Sequence, residues 1–169
     1  MLKSALRSYP GYFQTYVEQV KDNHLQTAFD NQRKGLVDFF KGISEEKSMY
    51  AYGPDKWTIK GVLQHIIDAE RIFTYRALCF ARKDNTALPG WEEVDYGNYA
   101  NAERRSWDNL IEEFTALRQS TELLYKSFTE EMLSQEGTAN SKLMDVATIG
   151  FTLLGHAEHH KKILIERYF

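Results

Sequence analysis

Apolar side chains recur every three or four positions along four stretches of this chain, the spacing that places them on one face of an α-helix. From about His24 to Lys41, Leu25, Phe29, Leu36, Phe39 and Phe40 keep this rhythm, after a shorter amphipathic segment from Tyr12 to Val20. Gly42 is placed to end that first long helix. Thr58 occupies an N-cap position before Ile59, Val62, Leu63, Ile66, Ile67, Ile72 and Phe73, which predicts a second helix to about Lys83. A third is predicted from about Arg104 to Phe128, through Trp107, Leu110, Ile111, Phe114, Leu117, Leu124 and Tyr125. The fourth begins near Asp145 and carries Val146, Ile149, Leu153, His156, His160, Ile163 and Leu164 toward the carboxyl end.

Between these stretches lie turn-rich segments. Ser44 to Trp57 contains Gly53 and Pro54, and the sequence breaks again around Gly137 and Asn140. Asp84 to Ala102 reads as a long connection in which Pro89, Gly90 and Gly97 alternate with Trp91, Tyr96 and Tyr99. Aromatics of that size are costly to leave in water, so the connection is expected to pack across an end of the domain. The 3 prolines are Pro10, Pro54 and Pro89, and the stretches between them are free of strong helix breakers. With no strand pattern, the expected fold is all-α: a four-helix bundle with its long connection between the second and third helices. Residues 1–169 are expected to form a single domain.

Composition narrows the function classes. A chain of 169 residues, 43% of them hydrophobic, can bury one substantial core. The net charge is −3 and basic residues are interspersed with acids, so no basic stripe marks a nucleic-acid partner. No apolar run approaches the roughly twenty residues that span a bilayer, and no charged-then-apolar leader follows Met1. A cytoplasmic protein without a membrane partner is therefore expected. The single cysteine, Cys79, sits beside Leu78 and Phe80 and is expected to be a buried, inert thiol.

His156 and His160 are four residues apart on the fourth predicted helix, so their imidazoles project from one face a turn apart. Their stripe includes Ile149, Leu153 and Ile163, which makes it the inward face. His65 repeats the pattern on the second helix, among Thr58, Val62, Ala69 and Ile72. Two nitrogens from one helix and a third from a facing helix can hold one divalent ion and leave positions open for water or substrate. The competing reading is of three hydrogen-bonded core histidines without a metal. His159 falls about 100° round the helix from His160, on a stripe with Thr152, Gly155 and Lys162 that reads as a polar edge. Glu158 and Asp68 are candidates to orient an imidazole or accept a proton, against a plainer role as solvated acids. His24, near a helix start, reads as a surface or capping residue.

The segment Tyr52-Gly53-Pro54-Asp55-Lys56-Trp57-Thr58 followed by His65, together with Gly155-His156-Ala157-Glu158-His159-His160, resembles the DinB-like and YfiT-like superfamily of four-helix-bundle metalloproteins. The likeness extends to Asp68-Ala69-Glu70-Arg71-Ile72-Phe73 and to Leu88-Pro89-Gly90. It implies that His65, His156 and His160 bind a divalent ion, zinc, nickel, iron or manganese. Where many relatives continue the last motif with an Arg-Gly-Gln-like sequence, this chain has Lys161-Lys162-Ile163. The resemblance further implies a transferase that uses a low-molecular-weight thiol such as bacillithiol or mycothiol, or a hydrolase at the same metal, and a homodimer. The alternative is a non-catalytic, metal-stabilised binding or stress-response module. Trp57 is read as an anchor that staples the loop to the bundle, and Tyr50, Tyr52, Trp91, Tyr96 and Tyr99 as candidates for an entrance.

Overall fold

The computed structural model describes residues 1–6 and 11–169, so Pro10, one of the expected punctuation points, lies outside the described residues. Helix α1 spans Gly11–Val17 and α2 spans Leu25–Lys41. A single turn, α3, Glu45–Ser48, interrupts the segment expected to be loop. Then follow α4, Ile59–Ala81, α5, Glu93–Tyr99, α6, Trp107–Lys126, and α7, Glu130–Leu133. A hairpin of β1, Glu136–Ala139, and β2, Lys142–Asp145, leads into α8, Val146–Tyr168.

Helix starts are fixed by side chains that satisfy amides the first turn leaves without partners. Thr58 Oγ1 accepts from the Gly61 N–H at 3.0 Å, Ser106 Oγ from Asn109 at 3.3 Å, and Asp145 Oδ1 from Thr148 at 2.6 Å. Gly42 closes α2, its N–H reaching the Asp38 carbonyl at 3.1 Å. His24 stands exposed at the N-cap position of α2 without a side-chain cap bond.

The long helices follow one another round the bundle as α2, α6, α4 and α8, with the most extensive seam between α4 and α8. These two run antiparallel. Tyr168 Oη donates to the Trp57 carbonyl at 2.9 Å at one end of the seam, while Phe73, further along α4, meets His156. Helix α1 lies on the outside of α8. Gly155 makes that approach possible, because a Cβ there would stand 1.8 Å from the Tyr16 carbonyl oxygen.

Apolar packing divides into two clusters. One gathers Phe29, Phe73, Phe80, Tyr125 and Phe151, the other Leu36, Phe40, Leu63, Leu110, Phe114 and Leu164. A polar layer at the waist separates them, with one group from each long helix. Arg118 of α6, fully buried, donates from Nε and Nη2 to the Glu70 carboxylate of α4 at 3.0 and 2.9 Å. Its Nη1 donates to Gln32 Oε1 of α2 at 2.6 Å, and Gln32 Nε2 donates in turn to the Leu154 carbonyl of α8 at 2.9 Å. Such a layer contributes little net stability against an apolar one but is costly to break from one side.

Three expectations are corrected. The break around Gly137 and Asn140 is a hairpin, registered Glu136↔Asp145 to Ala139↔Lys142 and closed by Asn140 and Ser141 at φ 49° and 57°. Four-residue strands are too short to show alternation, and part of their support comes from Leu88, whose N–H reaches the Thr138 carbonyl at 2.9 Å. The connection between the second and third long helices contains α5 and lies along α4, rather than across one end, because it is tied to β1 at Leu88 and docks on Trp57, just before the start of α4. Cys79 is half-buried, since its neighbours along the chain alternate between buried Phe80 and exposed Leu78. None of the described helices is long and apolar enough to cross a membrane.

The waist gives a stability prediction. Replacing Arg118 by Met leaves the Glu70 carboxylate buried without its partner and is expected to cost about 3–5 kcal/mol in chemical denaturation. Replacing Glu70 by Leu in the same chain should restore most of the loss; a double variant no more stable than Arg118→Met would contradict this account.

Candidate metal centre

Helix α4 presents His65 seven residues, about two turns, after the Thr58 cap. Helix α8 presents His156 one residue after Gly155, where α1 bears on it, and His160 a turn later. The antiparallel seam brings them together. His156 Nε2 lies 3.0 Å from His65 Nε2 and 3.0 Å from His160 Nε2, and one nitrogen from each ring falls within 4.8 Å of the others. His65 and His156 are buried; His160 is half-buried.

This arrangement can be tested against a cation on its own chemistry. An imidazole nitrogen has one in-plane valence, either an N–H or a lone pair. His156 Nε2 faces two neighbours at equal distance, so at most one contact is a well-aligned hydrogen bond. A divalent ion lets all the lone pairs address one charge instead. Bonds of about 2.0–2.1 Å meeting at roughly 90–95° span each of the two 3.0 Å gaps at His156, so these contacts suit such an ion and the three histidines together could hold one.

Electrostatics favour the ligating form. Burial pushes the His65 imidazolium down to about 4 and that of His160 down to about 3, with the neighbouring His65 and His159 adding to the second. His156 too is held well below the usual histidine value, by burial first and then by the surrounding histidines. At neutral pH all three rings are uncharged and offer lone pairs.

Aromatic side chains enclose the cluster. Trp57 lies 4.8 Å from the His65 ring, tilted by 36°, and Trp91 lies 5.8 Å away, near-parallel at 18°. Tyr16 of α1 meets His156 edge-on at 5.4 Å. Trp57 is also the floor for α5, since a Cβ on Gly97 would stand 2.9 Å from its indole. Two cavities reach the histidines: one of about 600 Å³ is lined by Tyr52, Trp57, Asn98 and His160, another of about 330 Å³ by Tyr16, Phe73, Trp91 and His156.

The other candidates fall elsewhere. Glu158 Oε1 accepts from Gln32 Nε2 at 3.0 Å, which holds it toward α2 and away from the orienting role considered for it. Asp68 accepts from Gln64 at 3.0 Å, and burial raises its pKa. Among the described residues, the grouping with metal-ligand geometry contains histidines alone. His159 is half-buried under α1, its Nδ1 3.3 Å from Gln19 Nε2, where a polar edge was expected. Of the entrance candidates, Tyr52 and Trp91 line the two cavities, Tyr50 packs on Tyr168, and Tyr99 is exposed. Tyr12, Tyr16, Arg76 and Asn98 line the cavities without having been singled out; of these, Arg76 carried a signal, a charge interrupting an apolar helix stripe.

The fold and the site together define a four-helix bundle whose central seam carries three converging imidazoles, a group that could hold a metal ion. The DinB superfamily model matches residues 28–164, and the chain belongs to that superfamily. A solved structure described as "YfiT from Bacillus subtilis is a probable metal-dependent hydrolase with an unusual four-helix bundle topology" is similar in fold, at TM-score 0.70 and 12% identity, over 95% of this chain and 88% of that one. Among curated proteins, none matches the sequence.

The depressed imidazoles set a pH dependence for the metal-free protein. Unfolded histidines titrate near 6.5, above the folded values, so the unfolded chain takes up protons first as pH falls. Stability is complete above about pH 6.5 and is lost progressively as pH falls through 4 toward 3, with the thermal midpoint falling by about 10 °C or more at pH 4. His156→Leu is expected to flatten that decline, and identical pH profiles for the two proteins would refute it.

Proposed function

We propose that this protein is a divalent-metal-dependent enzyme that delivers a nucleophile, a low-molecular-weight thiol or water, to an electrophilic small molecule, acting as a thiol S-transferase or hydrolase. The observation that carries the reading is His156 Nε2 placed 3.0 Å from two other imidazole nitrogens, beside cavities open to a substrate. The description of the YfiT structure as a probable metal-dependent hydrolase supports it.

His65, His156 and His160 would hold the ion. Bound there, a divalent ion supplies Lewis acidity, lowering the pKa of a thiol or water and polarising an electrophile. Three neutral ligands leave the ion's charge uncompensated, so an anionic nucleophile is favoured over a neutral one. Trp57, Trp91 and Phe73 restrict water around the imidazoles and so strengthen that preference. Tyr16 keeps its proton, because burial and the Tyr12 hydroxyl 3.0 Å away raise its pKa, and it is a hydrogen-bond donor on the wall of the smaller cavity.

Reconstitution with zinc, nickel, iron or manganese is expected to give one ion per chain by elemental analysis. His65→Ala and His160→Ala should each weaken binding by about a hundredfold or more and abolish thiol conjugation or hydrolysis. Full metal loading with no turnover across a panel of thiols, aryl halides, epoxides, esters and amides would eliminate the catalytic reading.

A further inference from the structure

The smaller cavity has a second polar feature that the histidines leave unexplained. Arg76 lies on α4 three turns beyond His65 and nearly on the same face, since eleven residues bring a helix back to within about 20°. It is 5% exposed and lines the same 330 Å³ cavity as His156, with Phe73 between them on the wall. Among the described residues, its Nη2 donates to the Pro89 carbonyl at 2.8 Å, and no carboxylate is in ion-pair contact with it. Burial acts on this guanidinium without a compensating charge. A buried cation answered by one neutral carbonyl is expensive.

We propose that Arg76 is the anchor for a carboxylate at the far end of the substrate, so that the 330 Å³ cavity selects small molecules carrying a metal-directed group at one end and a single carboxylate at the other. The inference rests on the metalloenzyme reading above for the metal-directed end alone. Guanidinium N–H pairs match the planar fork of a carboxylate, and Nη2 is the nitrogen already engaged. The charge around the cavity fits a monoanion. Lys142 adds a positive charge and Glu92 and Glu93 add negative ones, but all three are exposed to water at the mouth, leaving Arg76 as the buried charge on the lining. A phosphate dianion would meet one buried cation and two nearby carboxylates, a poor match. The volume suits a compact ligand, since about 330 Å³ is near the lower end of the range for small-molecule sites.

The test separates this inference from the metal reading. In metal-free protein, the Arg76 Nε–Hε resonance, identified by its loss in Arg76→Lys, is followed while propionate, 1-propanol and inorganic phosphate are titrated in turn. Propionate is expected to shift it saturably and propanol to leave it unmoved. In zinc-loaded protein, 3-mercaptopropionate is expected to bind at least about tenfold more tightly than 3-mercapto-1-propanol by calorimetry, and Arg76→Gln to remove that advantage while leaving the alcohol's affinity unchanged. An unmoved resonance with propionate, a shift with phosphate alone, or equal binding of the two thiols to the wild type overturns the proposal. Should Arg76→Gln not fold, the wild-type titrations decide it. Failure to bind zinc would sink the metalloenzyme reading and leave the propionate result standing on its own.

Discussion

The antiparallel seam between α4 and α8 is the constraint on which the rest of this molecule depends. It must be tight enough to bring Nε2 atoms of two helices to 3.0 Å and apolar enough to keep three imidazoles neutral. The two demands reinforce each other. Ile66 and Ala69 on α4 and Leu153 and Ala157 on α8 are buried beside the histidines, and it is their exclusion of water that depresses the imidazole pKa values. The arrangement has a cost when no ion is bound, because a buried nitrogen without a well-aligned partner forfeits about 1–3 kcal/mol. Binding of a cation at this point therefore couples to the stability of the whole bundle, in proportion to ligand concentration over its dissociation constant.

The polar waist limits how far this coupling depends on other charges. Arg118 is a full positive charge in the same core and lowers the His156 pKa, but its effect ranks below burial and below the neighbouring histidines. The reason is visible in its partners: hydrogen bonds from Nε and Nη2 to the Glu70 carboxylate and from Nη1 to Gln32 neutralise and orient it within the layer. Glu158, the acid closest in sequence to the histidine pair, is drawn to the same Gln32. The consequence, among the described residues, is a histidine group without a carboxylate, which would leave more net positive charge on an ion held there than two histidines and an acid would.

The four long helices were legible because apolar periodicity in each is joined by a second local signal: a side-chain cap at Thr58, Ser106 or Asp145 for α4, α6 and α8, and the Gly42 breaker for α2. The histidine cluster was legible for a related reason. An i, i+4 pair and a third inward position survive any reasonable packing of two facing helices. What escaped depends on contacts distant in sequence. The hairpin draws on Leu88, fifty residues upstream, and its Asn140–Ser141 turn takes positive φ with no glycine to mark it. Helix α5 buries none of its residues fully, so it leaves almost no apolar signature. Glu158 could not be separated from the histidines by spacing alone, because its direction is set by Gln32 on another helix.

The asymmetry between floor and roof follows from the same facts. The histidines stand on helices that are buried along much of their length, whereas the walls above them come from α1, α5 and the connection between α4 and α6. Helix α5 is docked through the close approach of Gly97 to Trp57 and the edge contact of Tyr96 with Trp91 at 5.0 Å. Segments held by few buried contacts open at lower free energy than the core that carries them. The imidazoles and much of the wall around them are thus supplied by different parts of the chain. The seam fixes the three nitrogens, while α5 is held mainly through Trp57 and Trp91. Under the function proposed above, substrate choice falls to the cavity walls, to Tyr52, Asn98 and Tyr16 from the loops and short helices together with Arg76 of α4, rather than to the imidazoles.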